Sequence, residues 1–421
     1  VDKFVITGGK KLSGEVNVSG AKNASLALMP AALLTTGKSV LHNTPELNDV
    51  YTMMKLLNHL GVWTSFKNYT LELDTSRIKS QVAPYEHVKK MRASVYVLGP
   101  LLTRFGSAKV SLPGGCAWGP RPINLHLEAL KKMGAEIDLV EGYIIAKAKK
   151  LQGAKINFDV SSVGATGNTL MAAVLAKGTT VINNAAMEPE ITNLAEFLIK
   201  MGARINGLNT STLVIEGVDD LSSAEIITIP DRIEAGTLLI AGAVTGGQIT
   251  IKNINERFLN ALLLKIEDSG RKIKNYNNLI ELTTVDNRII PTDVTTSIFP
   301  GFPTDMQAQW TAYMCLADGV CTVTDSIYLD RFKHVPELIR LGADIQINEN
   351  QAVVKGVGKL KGAKVMSTDL RASASLVLAG LAAEGTTEVL RVYHLDRGYQ
   401  KIEEKLKLLG AEIERVAGTE Y

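Results

Sequence analysis

Two hydrophobic periods alternate along this chain, and the pair returns six times. Six stretches are apolar nearly all round: Leu26–Leu34, Val95–Leu102, Leu170–Ala176, Leu238–Val244, Trp310–Leu316 and Leu376–Ala382. Such stretches predict helices buried on every side. Each is followed by a glycine placed to stop it, at Gly37, Gly106, Gly178, Gly246, Gly319 and Gly385. A β-branched run comes next, as in Thr179–Asn183, and then an amphipathic helix. In Ile191–Met201 the apolar positions Ile191, Leu194, Ala195 and Leu198 fall at helical spacing. A second glycine series, Gly61, Gly134, Gly202, Gly270, Gly342 and Gly410, ends that helix. A hairpin such as Glu136–Ala146 completes the unit, and a short strand such as Lys155–Val160 opens the next. Both glycine series keep a period of about 70 residues, so the chain predicts six βαβαββ repeats.

One hydrophobic core rarely grows past about 250–300 residues. The 421 residues therefore divide best into two α/β domains of three repeats, with the boundary near residue 229. The net charge of +3 offers no broad basic surface for nucleic acid or for a membrane. No apolar run is long enough to span a bilayer. Three cysteines, Cys116, Cys315 and Cys321, make neither a disulfide framework nor a zinc site. The first residues lack signal-peptide character, and a cytoplasmic location is expected.

The repeat register picks out the chemistry. Fourteen residues before each glycine of the first series stand Asn23, Arg92, Gly164, Arg232, Asp305 and Arg371, all at or just before the start of the buried helix. Helix N-termini favour anions, and Lys22, Arg92 and Arg371 strengthen that preference. Twelve residues after the glycine, the fifth and sixth repeats place Arg331 and Arg397. In the second repeat the two glycines lie 28 residues apart, against 23 to 25 elsewhere. The lengthened segment is Ser111-Leu-Pro-Gly-Gly-Cys116-Ala-Trp-Gly-Pro-Arg121-Pro, a Gly/Pro-rich loop that places a thiol five residues before a cation. Arginine forks suit carboxylates and phosphates, so a small anion carrying both groups is implied. Asp305 is an acid among cations, suited to a general base or to an ion pair. A cation near Cys116 favours its thiolate.

These motifs resemble the UDP-N-acetylglucosamine enolpyruvyl transferases, within the EPSP synthase family, over the whole chain. The resemblance is carried by Ser19-Gly-Ala-Lys22-Asn23-Ala, Pro113-Gly-Gly-Cys116, Ser162-Val-Gly164-Ala-Thr, Gly301-Phe-Pro-Thr-Asp305-Met-Gln-Ala-Gln, Thr368-Asp369-Leu-Arg371-Ala-Ser and Asp396-Arg397-Gly-Tyr. It implies a two-domain inverted α/β barrel, with residues 22–229 as one domain, 1–21 joining 230–421 as the other, and the active site in the cleft between them. It also implies transfer of the enolpyruvyl group of phosphoenolpyruvate to the 3′-hydroxyl of UDP-N-acetylglucosamine with release of phosphate. That reaction passes through a tetrahedral intermediate and is the first committed step of peptidoglycan synthesis.

The resemblance further implies residue roles. Cys116 matches a general acid that can also bond phosphoenolpyruvate, and Asp305 matches the base for the 3′-hydroxyl. Lys22, Arg92, Arg121 and Arg397 match phosphate-side cations, with Lys22 and Arg397 among the catalytic groups. Arg331 and Arg371 match the carboxylate side. Asn23 and Asp369 match groups near the intermediate. Asn23, Arg92, Arg121, Pro122, Ser161, Ser162, Val163, Gly164, Asp305 and Ile327 match the nucleotide-sugar site. No cofactor, metal or protein partner is implied; the partners are the two small-molecule substrates. The chain departs from the family pattern at Trp118 and Pro120 in the thiol loop, at Met187, and in Ser326-Ile327-Tyr328. Two other readings share the repeats: the sister enzyme that makes 5-enolpyruvylshikimate 3-phosphate, which lacks the thiol loop, and a non-catalytic clamp or nucleotide-sugar binding protein.

Overall fold

The computed structural model describes residues 1–113 and 123–418. Cys116, Trp118, Pro120, Arg121 and Pro122 lie outside the described residues. The fold is α/β, with six four-stranded sheets and two compact units. One unit, called N-terminal below, is Gly20–Ile229; the other, C-terminal, is Val1–Ser19 with Pro230–Tyr421. Each contains three of the repeats.

Every repeat builds one sheet by the same rule. In the third, Lys155–Asn157 pairs parallel with Thr179–Asn183, which pairs antiparallel with Thr212–Glu216, which pairs antiparallel with Arg204–Asn206. The parallel step is bridged by the buried helix Val163–Ala173, because parallel neighbours need a crossover. Burial alternates along the strands, so Thr180 and Ile182 face the core while their neighbours do not. The helices form the interior. In the C-terminal unit, Arg232–Val244, Gln307–Met314 and Leu370–Ala382 pack against one another. Every residue of Arg232–Val244 is buried, and helices inside with sheets outside are what all-round apolar helices require. The largest fully buried side chain among the described residues, Trp310, stands edge-on to Phe302 and Tyr313 and donates its indole N–H to the Thr292 carbonyl at 3.1 Å.

Three strands break the simple order of the repeats. Glu225–Ile227, at the end of the N-terminal unit, supplies the opening strand of its first sheet beside Lys38–His42. Ser13–Asn17 opens the fourth sheet beside Gln248–Lys252. Lys3–Thr7 lies between Thr386–Leu390 and Glu412–Val416 in the sixth. Each unit is thereby closed by strands from the two ends of its own sequence.

All twelve marker glycines have positive φ, between 68° and 146°, the left-handed region that glycine enters at least cost. The first series differs in detail from the predicted role. Gly106 is the C-cap of its helix, whereas Gly37, Gly178 and Gly385 stand a few residues beyond the helix and turn the chain into the next strand. Two arginines, half-buried Arg104 and buried Arg271, satisfy carbonyls left open at helix ends and in a neighbouring loop. Arg104 donates to Leu33 O and Thr35 O, and Arg271 to Ala243 O, Asp286 O and Arg288 O.

Candidate active site

The six register positions all fall in the first or second residue of a helical segment. Asn23 is second in Lys22–Ala31, Arg92 is first in Arg92–Val97, and Gly164 is second in Val163–Ala173. Arg232 begins Arg232–Val244, Asp305 is second in Thr304–Met306, and Arg371 is second in Leu370–Ala382. The site residues thus sit on rigid helix starts anchored in the cores.

In the C-terminal unit two of them, Asp305 and Arg371, form one cluster with Arg331. Asp305 Oδ1 accepts from Arg331 Nη1 at 2.9 Å, and Oδ2 accepts from Arg371 Nη2 at 3.1 Å. The two arginine side chains are only 7% and 5% exposed, and the carboxylate 27%. Arg371 also lies over the Tyr399 ring. Burial works against its charge, but Asp305, followed by Tyr399 and Asp231, more than offsets that and holds the guanidinium above its ordinary pKa. The Arg371 Nη1 is buried with no hydrogen-bond partner among the described residues, a donor available to an anion.

Asp369 does something else within this unit. Its Oδ1 caps the helix by accepting from the N–H groups of Arg371 and Ala372, both at 3.0 Å, so it orients the backbone that carries Arg371. Asp231 caps Arg232–Val244 in the same way, a role its position directly before a buried helix announces. Arg397 ends the short helical segment Val392–Arg397. Neighbouring His394 is held below its ordinary pKa by burial and then by Arg397, with Asp369 acting in the opposite sense. Asp396 is not aimed at the cluster. Arg415 grips it with two nitrogens, at 3.1 and 2.6 Å, and also holds Glu403 at 2.7 Å. Arg415 thereby fixes the segment that carries Arg397.

In the N-terminal unit Lys22 Nζ lies 3.4 Å from Asp49 Oδ2. Asn23 is exposed, and Ser161, Ser162, Val163 and Gly164 are half-buried. Val163 and Gly164 belong to the first helical turn rather than to a loop, because Ser162 is the N-cap, its Oγ accepting from Ala165 N at 3.2 Å. Met187 is half-buried just before the helix Pro189–Lys200.

His126 explains why residue 164 is glycine. A Cβ there would meet the His126 ring at 3.0 Å. The tautomer of this imidazole follows from its partners. Asn168 Oδ1 accepts from Gly99 N, so its amide nitrogen must be the donor to Val95 O and to His126 Nδ1. Nδ1 is then an acceptor, and the ring proton sits on Nε2. Burial, followed by the charge of Arg92, pushes His126 down to about 3.

Pattern reading passed over Asp49 and Glu190, yet the register reaches them: the step of twelve that finds Arg331 and Arg397 also finds these two. It passed over His126 because a histidine in an amphipathic helix carries no local mark. A cavity of about 570 Å³ in the N-terminal unit, bordered by Thr36, Thr103, Arg104 and Ser222, lies at the C-terminal ends of the helices and involves none of the candidate residues. Among the described residues no group of His, Cys, Asp and Glu is placed to hold a metal ion, and no helix is long and apolar enough to cross a membrane.

Residues 6–406 match the family described as EPSP synthase (3-phosphoshikimate 1-carboxyvinyltransferase). A protein of Chloroherpeton thalassium named UDP-N-acetylglucosamine 1-carboxyvinyltransferase is 58% identical, with 100% of this chain and 99% of that protein covered. Proteins of the same name from Chlorobium limicola and Geotalea daltonii are 57% and 54% identical, over 100% and 99% of this chain and the full length of each. Among solved structures, the enolpyruvyl transferase NikO from Streptomyces tendae superposes with a TM-score of 0.89 at 24% identity, covering 99% of both chains. An EPSP synthase from Acinetobacter baumannii superposes at 0.76 and 17%, covering 99% of this chain and all of that one. These two likenesses concern the fold.

Proposed function

The chain belongs to the EPSP synthase family, and from that premise we propose that it transfers the enolpyruvyl group of phosphoenolpyruvate to the 3′-hydroxyl of UDP-N-acetylglucosamine, releasing phosphate. The observation that carries this reading is the name shared by relatives 54–58% identical over essentially the whole chain. The reaction would serve the first committed step of peptidoglycan synthesis, in the cytoplasm. The thiol at Cys116 argues against the shikimate-directed alternative.

The chemistry needs a proton delivered to the methylene carbon of phosphoenolpyruvate and one removed from the sugar hydroxyl. We assign the first to Cys116 and the second to Asp305. Lys22, Arg92, Arg121 and Arg397 neutralise the phosphate as it departs, and Arg331 and Arg371 take the carboxylate. Asn23 and Asp369 serve the tetrahedral intermediate. Asn23, Arg92, Arg121, Pro122, Ser161, Ser162, Val163, Gly164, Asp305 and Ile327 hold the nucleotide sugar.

Asp305 bonds to the two arginines assigned to the substrate carboxylate, so the base and the carboxylate site share one cluster.

Incubation with phosphoenolpyruvate and each candidate acceptor tests the assignment. Phosphate release is expected with UDP-N-acetylglucosamine and not with shikimate 3-phosphate; the reverse pattern would overturn it.

A further inference from the structure

Ile327 and Asp305 come from different segments, and one buried carboxylate outside the roles assigned above bonds to the N–H of Ile327 and to the hydroxyl of Thr304, which precedes Asp305. Asp325 follows the strand Val320–Thr324, is fully buried, and forms no ion pair among the described residues. Four donors hold it instead. Its Oδ1 accepts from Thr296 Oγ1 at 2.8 Å and from the N–H groups of Ile327 and Tyr328 at 3.0 and 2.9 Å. Its Oδ2 accepts from Thr304 Oγ1 at 2.8 Å.

The bond to Thr304 reaches the reaction centre. The Thr304 hydroxyl has one proton, which goes to Asp325, so its oxygen is left to accept from Arg331 Nη1 at 3.0 Å. The same Arg331 nitrogen donates to Asp305 at 2.9 Å. Thr304 precedes Asp305 in the chain, so Asp325 fixes the backbone of the base and the direction of Arg331 together.

The repeat makes the departure visible. Six residues after the first-series glycine, two sister repeats carry Asn43 and Asn184, both with positive φ. Asn43 and Asn184 donate their amides to the carbonyls of Thr228 and Phe158, ending a strand. Asp325 lacks positive φ and cannot donate when ionised. At this register the fifth repeat has replaced a strand-ending donor with an acceptor that collects two turns.

We propose that Asp325 is a positioning residue for both substrates: through the Ile327 and Tyr328 amides it sets the turn on the nucleotide-sugar side, and through Thr304 it sets Arg331 and Asp305. This rests on the assignment of Ile327, Arg331 and Asp305 given above. Burying an anion without a cation is costly unless its hydrogen bonds are complete, so all four donors must stay in place.

The test compares Asp325→Asn, Asp325→Ala, Thr304→Val and the double variant Asp325→Asn/Thr304→Val in the full chain. In Asp325→Asn the donors grouped at Oδ1 keep the remaining oxygen there, and the amide nitrogen faces Thr304. The hydroxyl of Thr304 then loses its acceptor. The KM for phosphoenolpyruvate should rise about tenfold, with that for the nucleotide sugar within roughly threefold. Asp325→Ala should raise both and speed amide hydrogen exchange at Ile327 and Tyr328 by about tenfold or more, while the strands Asp344–Asn348 and Gln351–Lys355 stay protected. The double variant should match Thr304→Val alone, since both changes act through one bond. Unchanged exchange at Ile327 and Tyr328 in Asp325→Ala would overturn the proposal. So would an unchanged KM for phosphoenolpyruvate in Asp325→Asn, or full additivity in the double variant. A wild-type protein inactive on this substrate pair would remove the functional assignment, and the exchange result would still decide whether Asp325 holds the turn.

Discussion

The first repeat of the N-terminal unit and the fifth repeat, in the C-terminal unit, present the same two stations with their charges interchanged. In the N-terminal unit the buried helix starts carry cations, Lys22 and Arg92, and the position twelve residues after the glycine, in the first turn of the next helix, carries acids, Asp49 and Glu190. In the C-terminal unit the helix start of the fifth repeat carries Asp305, and the position twelve residues after the glycine carries Arg331 and Arg397 in the fifth and sixth repeats. The Lys22–Asp49 and Arg331–Asp305 pairs are therefore the same contact with its polarity reversed. A repeat fixes where charged groups stand, and single substitutions decide which sign stands there. The C-terminal unit then adds Arg371, so that Asp305 is shared between two cations and the cluster keeps a net positive charge for an anion.

The sharpest way to break this comparison is Asp305→Asn. Loss of a general base should lower kcat by roughly 10²–10⁴-fold. Because Asp305 competes for the arginines, phosphoenolpyruvate should bind the variant at least as tightly as the wild type, a result calorimetry can read. Weaker binding would show that Asp305 helps hold the carboxylate.

Thiol chemistry should separate the units by about three orders of magnitude. Burial pushes Cys315 well up and Cys321 up to about 12, so at neutral pH almost no thiolate forms at either. Brief iodoacetamide treatment followed by mass spectrometry should label Cys116 and leave both others intact.

Arg371→Met should cost about 3–5 kcal/mol of stability, since it strips a buried cation from a paired carboxylate. Arg204→Met, at an exposed 4.0 Å pair with Glu216, should cost about 0–1 kcal/mol. Urea melts of the two variants give the contrast directly.

A smaller effect sharpens the symmetry. His126 and His334 stand at the same register, eight residues before a second-series glycine, in the middle repeat of each unit. Burial, and then Arg92 or Arg331, pushes each down to about 3. Below the unfolded value near 6.5, the unfolded chain takes up protons that the folded one refuses. Their contribution is therefore complete above about pH 6.5 and is lost progressively as pH falls toward 3. Asparagine at either position should flatten the fall in urea midpoint between pH 7 and pH 4.5, and by similar amounts in the two units.

Much of this molecule was legible along the chain because its signals are one-dimensional. All-round apolar runs mark helices that end up inside, and a glycine series at fixed spacing marks left-handed turns; each needs only near neighbours. The register then located Arg92, Asp305, Arg331, Arg371 and Arg397 without any structure. What the pattern could not do was sort residues of one type by task. Arg271 and Arg371 are both buried arginines, yet one satisfies helix-end carbonyls and the other faces an acid. Asp325 and Asp369 each precede a turn or helix, but one ties two segments together while the other caps one.

By itself, then, the sequence determined six repeats, their helices and turns, and the charged groups at each helix start, because propensity and periodicity act locally. Only the tertiary structure decided which sheets Lys3–Thr7, Ser13–Asn17 and Glu225–Ile227 complete, which nitrogen of His126 carries the proton, and that Asp305 rests between two arginines. Those outcomes depend on distances between groups remote in sequence, and electrostatic and hydrogen-bond energies are set by those distances alone.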